Sequence, residues 1–124
     1  MFLAVGLLGF TGVGFGAIGS HMLRDLSEFR LKAWNTAVQY QLIHTIAIFA
    51  ATLAIKQASS GALSKAACAR LRVATQLWLA GTVLFSGSIY GLVLTEVKLL
   101  GPVTPLGGVT MMLGWLAAGS VALL

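Results

Sequence analysis

Charged residues are scarce in this sequence and wholly absent from four long stretches of it. The 124 residues include eight Lys or Arg and three Asp or Glu. None of these falls in Met1 to Leu23, Ala33 to Ile55, Val73 to Thr95 or Leu99 to Leu124. Because 58% of the residues are hydrophobic, too little polar surface remains to coat a water-soluble globule of this size. An ordinary soluble domain is therefore excluded.

Cysteine and acidic residues are also rare, and their rarity excludes further classes of protein. The single cysteine, Cys68, rules out an internal disulfide and leaves no thiol cluster for a metal. All three acidic residues lie in the gaps between the four long stretches. Transporters and proton pumps usually carry carboxylates within such stretches, so neither class is favoured. The formal charge of +5 comes from basic residues strung singly along the gaps, so we expect no nucleic-acid partner.

The four charge-free stretches have the length of membrane spans. An α-helix rises about 1.5 Å per residue, so about 20 residues cross a hydrocarbon core of roughly 30 Å. Lipid offers no hydrogen-bond partner to the backbone, and uninterrupted apolar runs of this length indicate helices. We predict an all-α fold, an integral membrane four-helix bundle with short loops. It forms one transmembrane domain over residues 1–124, with spans near 2–23, 33–55, 73–95 and 104–124.

The first span is expected to be a retained helix rather than a signal peptide. No Lys or Arg precedes it, and it outlasts the apolar core of a signal peptide, which has about 7–15 residues. Four crossings then place both termini and the Lys56 to Arg72 gap on one face, called side A. The Arg24 to Lys32 and Glu96 to Lys98 gaps lie on side B. Each side has four basic residues, but side A has no acid, which favours it as the cytoplasmic or matrix face.

Several residues predict where helices begin. Asp25 followed by Glu28 matches a capping box at the start of helix two. Ser64 is the expected N-cap of helix three. Thr104 followed by Pro105 is typical of an N-cap with proline at the first helical position of helix four.

Small residues recur at helical spacing and predict close helix packing. Gly12 and Gly16 are four residues apart in helix one, and Gly87 and Gly91 form a G-x-x-x-G in helix three. Such faces let two backbones approach closely within a membrane. We therefore assign these four glycines to helix packing.

Placing a polar side chain inside a span costs free energy, so each such residue is a candidate for a functional role. If Ala37 and Thr95 mark the same interface, His44 and Ser88 each lie seven residues in, about 10 Å deep. Gln41 and Tyr90 share a shallower level. The predicted cluster, which is either structural or ligand-binding, lies in the side B half of the bundle and consists of His21, Gln41, His44, Ser86, Ser88 and Tyr90.

Three interpretations of this cluster stay open. Interhelical hydrogen bonds, worth about 0.6 kcal/mol each, are the first, with His44 bonded to Ser86 or Ser88. A small pocket for a lipid headgroup or a quinone-like molecule is the second. Axial ligation of a haem by His21 and His44 is the third and weakest, since two histidines without a larger pattern say little. Ser86 and Ser88 lack a carboxylate to orient His44 as a base, so we predict no catalytic residue, cofactor or metal.

Four ordered motifs resemble those of a known family. They are 16–21 (GAIGSH), 36–44 (TAVQYQLIH), 84–90 (LFSGSIY) and 101–108 (GPVTPLGG) with Gly114 and Trp115. Together they are similar to the small YgdD-like membrane proteins, which include bacterial inner-membrane proteins and the eukaryotic transmembrane protein 256 group. The resemblance implies a four-helix membrane protein without an established biochemical activity.

The functional expectation rests on the glycine faces and on loops too short to form a soluble domain. We expect a non-enzymatic accessory or scaffolding subunit of a larger assembly, foremost a respiratory one, in a bacterial or mitochondrial inner membrane. Its partners would be membrane lipids and larger membrane-protein subunits. The alternative is a lipid- or quinone-binding protein that uses the polar cluster of helices two and three.

Overall fold

The computed structural model of the chain describes residues 1–124 as a bundle of four α-helices. They are α1 (Phe2–His21), α2 (Glu28–Gln57), α3 (Lys65–Thr95) and α4 (Val103–Gly119). Short 3₁₀ helices follow α2, α3 and α4. All four helical segments are long and apolar enough to cross a membrane. The predicted all-α, four-helix membrane fold is confirmed.

The helix starts agree with the sequence at α3 and differ at α2. The hydroxyl of Ser64 accepts a hydrogen bond from the backbone N–H of Ala67 at 3.1 Å, so Ser64 is the predicted cap. At α2 the cap is Ser27, whose hydroxyl accepts from the N–H of Arg30 at 3.3 Å. The capping box at Asp25 is wrong because Asp25 still lies in the turn that leaves α1.

The start of α4 also differs from the prediction. Pro102 occupies the N-cap position, and Thr104 already lies inside the first turn. The Thr104 hydroxyl lies 2.6 Å from the hydroxyl of Ser88 on α3 instead of capping its own helix. The side chain is therefore used between helices, and the predicted N-cap is wrong.

The two long helices α2 and α3 pack against each other, α1 packs mainly against α2, and α4 packs against α3. A buried apolar cluster lies in the side B half and contains Trp34, Ala37, Ile89, Tyr90 and Val93. A second cluster lies in the side A half and contains Ile48, Ala51, Ala74 and Trp78. Buried polar residues of α2 and α3, including Gln41, His44 and Ser86, occupy the levels between them.

Glycines permit the closest approach of α3 and α4. A Cβ at Gly81 would lie 2.9 Å from the carbonyl oxygen of Gly107, and a Cβ at Gly107 would lie 2.9 Å from the carbonyl oxygen of Gly81. Both distances are shorter than real side chains allow, so the two backbones meet here. About two turns further along α4, Gly114 makes room for the ring of Trp78. A Cβ at Gly114 would lie 2.6 Å from Trp78 Cδ1.

The glycines assigned to packing from the sequence divide into two groups. On α1, a Cβ at Gly12 would lie 2.7 Å from Leu42 Cδ2, and one at Gly16 would lie 3.4 Å from Val38 Cγ1. Both therefore face α2. On α3, a Cβ at Gly91 would meet Leu100 of the following 3₁₀ helix at 2.6 Å.

Gly87 makes no packing contact, which corrects the predicted G-x-x-x-G face. It is exposed, and nothing lies within 4 Å of a Cβ built there. The reason is rotational: Gly87 follows Gly81 by six residues, so at about 100° per residue it points some 120° away from α4.

Two arginines tie the ends of neighbouring helices together. The Arg30 guanidinium, near the start of α2, donates to the carbonyl of Val93 at the end of α3 and lies 3.2 Å from the Glu96 carboxylate. The Arg70 guanidinium on α3 donates to the carbonyl of Ser120 at the end of α4. Terminal carbonyls have no partner within their own helix and carry the negative end of its dipole, so a cation stabilises them.

Candidate functional site

The polar residues of the spans form separate hydrogen-bonded groups rather than one cluster. In the first group, the Gln41 amide nitrogen donates to the carbonyl of Leu8 at 2.8 Å and to the hydroxyl of Thr11 at 2.9 Å. Its amide oxygen accepts a hydrogen bond from the Tyr90 hydroxyl at 2.7 Å. Gln41 is only 3% exposed. One buried side chain therefore joins α1, α2 and α3.

The second group is built on His44, which is 4% exposed. Its Nδ1 lies 2.7 Å from the carbonyl oxygen of Tyr40, and the Trp115 indole N–H donates to its Nε2 at 3.1 Å. An indole nitrogen only donates, so Nε2 must accept and Nδ1 carries the proton. This arrangement fixes a neutral imidazole between α2 and α4. The predicted bond from His44 to Ser86 or Ser88 is wrong.

The third group contains the two serines of α3. The Ser86 hydroxyl donates to the carbonyl of Ala37 at 2.7 Å, which links α3 to α2. The Ser88 hydroxyl lies 2.9 Å from the carbonyl of Phe85 and 2.6 Å from the Thr104 hydroxyl, which links α3 to α4. The serines thus serve different helix pairs, although they are only two residues apart.

His21 stands apart from all three groups. It is the last residue of α1 and is exposed, whereas His44 is buried with both ring nitrogens hydrogen-bonded. The two histidines do not face a common space, so the haem interpretation has no geometric basis. No group of three or more His, Cys, Asp or Glu side chains is placed to hold a metal ion.

Sequence reasoning missed the role of Trp115 and its neighbour Trp78. Their rings pack with centroids 4.6 Å apart, and Trp115 also contacts the His44 ring at 5.9 Å. Trp78 is 3% exposed, and its indole nitrogen is the single buried side-chain polar atom without a partner. The sequence signal was Gly114, which directly precedes Trp115. A glycine at that position leaves space for the ring of Trp78 beside the ring of Trp115.

Two grooves open beside the polar groups. The groove between α1 and α3, called the Gly87 groove, has a volume of about 170 Å³ and is lined by Thr11, Phe15, Gln41, Val83, Gly87 and Tyr90, among others. The groove between α2 and α4, called the Tyr40 groove, has a volume of about 270 Å³ and is lined by Tyr40, His44, Phe85, Met111, Met112 and Trp115, among others. Gln41 and His44 therefore border different spaces.

Most polar side chains of the spans bind one another or the backbone, and this limits what the site can do. The amide of Gln41, both nitrogens of His44 and the hydroxyl groups of both serines have partners within the chain. The Tyr40 hydroxyl has none and lies on a half-exposed side chain in the Tyr40 groove. The arrangement can fix the mutual rotation of helices and can offer one hydroxyl donor to a molecule in that groove.

Comparison of the sequence with known proteins assigns the chain to a family. The sequence model of the family described as a protein of unknown function (DUF423) matches residues 15–108. This chain belongs to that family. The family expected from the four motifs is thereby confirmed.

Relatives occur in bacteria and in a yeast. The UPF0382 membrane protein YwdK of Bacillus subtilis is 40% identical over 106 residues, which cover 84% of this chain and 80% of the relative. The UPF0382 membrane protein SAB0533 of Staphylococcus aureus is 36% identical over 118 residues, covering 94% and 89%. The UPF0382 membrane protein C1782.12c of Schizosaccharomyces pombe is 38% identical over 116 residues, covering 88% and 89%. No solved structure matches the chain. The names of these relatives and the four apolar helices both show that the chain is a small integral membrane protein.

Proposed function

We propose that this protein is a non-enzymatic accessory subunit that binds the helices of larger membrane proteins. The membrane is a bacterial or mitochondrial inner membrane, and respiratory complexes are the assemblies to test first. Both termini face the cytoplasm or matrix. Lipids fill the outer surface where no partner helix lies.

The observation that carries this proposal is the exposed Gly87 in the middle of α3. Glycine within a helix costs roughly 0.5–1 kcal/mol relative to alanine, and nothing within the chain uses the space that Gly87 leaves. A glycine on an outer helix face allows a second backbone to approach closely in a membrane. The polar atoms at the floor of the Gly87 groove are already paired, so an apolar helix can lie there without supplying hydrogen bonds.

Support for a non-catalytic role comes from the same pairing. A general base needs a free nitrogen, and both nitrogens of His44 are held by Tyr40 and Trp115. The Ser86 hydroxyl donates to the backbone carbonyl of Ala37 and makes no hydrogen bond to His44. No acid lies within the spans to complete a catalytic set.

Purification of the tagged full-length chain from its native membrane in mild detergent tests the proposal. We expect stoichiometric larger membrane subunits to accompany the wild type and to be lost in Gly87→Leu. Gly6→Leu is the matched control, because Gly6 is also exposed with nothing within 4 Å of a Cβ, but lies on α1. Both variants should melt like the wild type. A chain that purifies alone or as a self-assembled oligomer, or a Gly87→Leu variant that keeps its partners, would overturn the proposal.

The proposed orientation has a direct test in Cys68, the single thiol. It lies in the first turn of α3, on the same side as the C-terminus if all four helices cross. An impermeant maleimide applied to oriented vesicles should label Cys68 from the face that also exposes a C-terminal tag. Labelling from opposite faces would contradict four crossings, and labelling of both from the periplasmic or intermembrane face would reverse the orientation.

Binding of a lipid or quinone-like molecule is the second candidate, and the Tyr40 groove is the observation that favours it. Its walls are aromatic rings and methionines, and the unpaired Tyr40 hydroxyl can donate to a carbonyl or phosphate oxygen. Native mass spectrometry separates the two candidates. A retained small molecule that Tyr40→Phe releases supports this candidate, whereas retained protein subunits support the first.

A further inference from the structure

Side A of the protein carries cations without any acid. Its basic residues are Lys56, Lys65, Arg70 and Arg72, and the single ion pair of the structure, Arg30 with Glu96, lies on side B. The Arg70 guanidinium is occupied by the Ser120 carbonyl, and the Lys56 ammonium lies 5.0 Å from the centroid of the Phe2 ring. Lys65 and Arg72 remain exposed and without a partner of opposite charge.

These two free cations border one groove. Lys65 and Arg72 are seven residues apart, so they lie on the same face of α3. Between them on that face are Cys68 and Ala69, whose small side chains leave a space of about 460 Å³. The end of α2 and the chain that follows it form the opposite wall, with Ile55, Ala58, Ser59 and Leu63. We call this space the side A groove.

The depth and the walls of the side A groove identify the kind of anion that suits it. Arg72 is the last charged residue before the charge-free stretch that begins at Val73, so the groove lies at the level of lipid headgroups. Its walls are largely aliphatic at Ile55, Ala58 and Leu63. A small soluble anion would gain nothing from those aliphatic walls, whereas the glycerol and upper acyl chain of a phospholipid would.

We propose that the side A groove binds the headgroup of an anionic phospholipid. The phosphate lies between the Lys65 ammonium and the Arg72 guanidinium, and the acyl chain follows Ile55 toward the membrane. Basic pockets between transmembrane helices are known to bind anionic headgroups, and the positive end of the α3 dipole adds to the attraction. This site is separate from the Gly87 groove and does not depend on the accessory role.

Cys68 provides a reporter inside the site, because it lines the side A groove and is the single thiol. The full-length chain is reconstituted in vesicles of phosphatidylcholine alone or with phosphatidylglycerol, and the rate of labelling by an uncharged maleimide is measured. We expect slower labelling when phosphatidylglycerol is present. The double variant Lys65→Gln with Arg72→Gln should lose that protection. Lys56→Gln is the matched control, since it removes a side A charge outside the groove and should keep the protection.

Native mass spectrometry of the same samples gives an independent reading. Each basic residue near a membrane surface strengthens binding of anionic lipid by about fivefold. The single variants Lys65→Gln and Arg72→Gln should therefore each retain roughly fivefold less phosphatidylglycerol than the wild type. Equal retention in the wild type and the double variant would overturn the proposal. Protection of Cys68 by inorganic phosphate in pure phosphatidylcholine vesicles, to the same extent as by phosphatidylglycerol, would overturn the assignment to a lipid. Melting curves of all variants establish that each is folded.

Discussion

The two sides of α3 are packed in different ways. Toward α4, the backbones meet at Gly81 and Gly107, and the space beside Gly114 is filled by the ring of Trp78. Toward α1, one pair of aromatic rings is in contact, the side chain of Gln41 joins the helices, and a groove remains at Gly87. The α3–α4 contact is thus a close backbone approach, and the α1–α3 contact is a polar bridge over incomplete packing. Glycine in this membrane protein marks a contact only where the helix rotation brings it against a neighbour.

The most damaging single change should fall at the α3–α4 crossing. Gly81→Leu puts a branched side chain where even a Cβ would be 2.8 Å from the backbone nitrogen of Met111, so the helices must separate. We expect a loss of about 3 kcal/mol in the free energy of unfolding, the upper end for overpacking. Gly87→Leu is the control on the same helix and should change it by less than about 0.5 kcal/mol. Unfolding in mixed micelles measures both, and equal effects would remove the distinction between the two sides of α3.

A middle-sized loss is expected when the polar bridge is removed. Gln41→Leu keeps the volume but deletes the hydrogen bonds to Leu8, Thr11 and Tyr90. At about 0.6 kcal/mol per interhelical hydrogen bond, the loss should be near 2 kcal/mol. Tyr90→Phe, which deletes a single bond, should cost about 0.6 kcal/mol. A double-mutant cycle that gave no coupling between Gln41 and Tyr90 would contradict the bridge.

A loss smaller than that of Gln41→Leu is expected when the indole to imidazole bond between α2 and α4 is removed. Trp115→Phe keeps an aromatic ring beside Trp78 but removes the N–H that binds Nε2 of His44. We expect a loss of about 1 kcal/mol, from the bond and the smaller ring together. The ¹⁵N chemical shifts of the His44 ring should show the Nδ1–H tautomer in the wild type. A wild-type ring protonated at Nε2 would be incompatible with the bond.

The presence of four apolar helices and one cap followed from local sequence, because each depends on a short run of residues. Charge-free stretches define spans through the cost of burying charge, and Ser64 caps α3 through a bond to a residue three positions away. Asp25 and Thr104 carried equally good local signals and did not become caps. Asp25 remains in a turn, and the Thr104 hydroxyl found a better-placed partner in Ser88 on another helix.

The candidate site was less predictable because it depends on which helices are neighbours and how each is rotated. Equal depth correctly suggested that Gln41 and Tyr90 could meet, and they are hydrogen-bonded. The same argument paired His44 with Ser88, but His44 faces α4 and binds Trp115. Depth along a helix can be counted from the sequence, whereas the direction around its axis relative to a partner helix cannot.

The two arginine bonds at the helix ends have a consequence for biogenesis. Arg30 and Val93 are 63 residues apart, and Arg70 and Ser120 are 50 apart, so each bond joins the beginning of one helix to the end of the next. Neither can form until the later helix has been synthesised to its last turn and has crossed the membrane. Each arginine therefore lacks its carbonyl partner during translation until the hairpin that contains it is complete. A nascent chain truncated before Ser120 would keep the α2–α3 closure and leave Arg70 without its carbonyl.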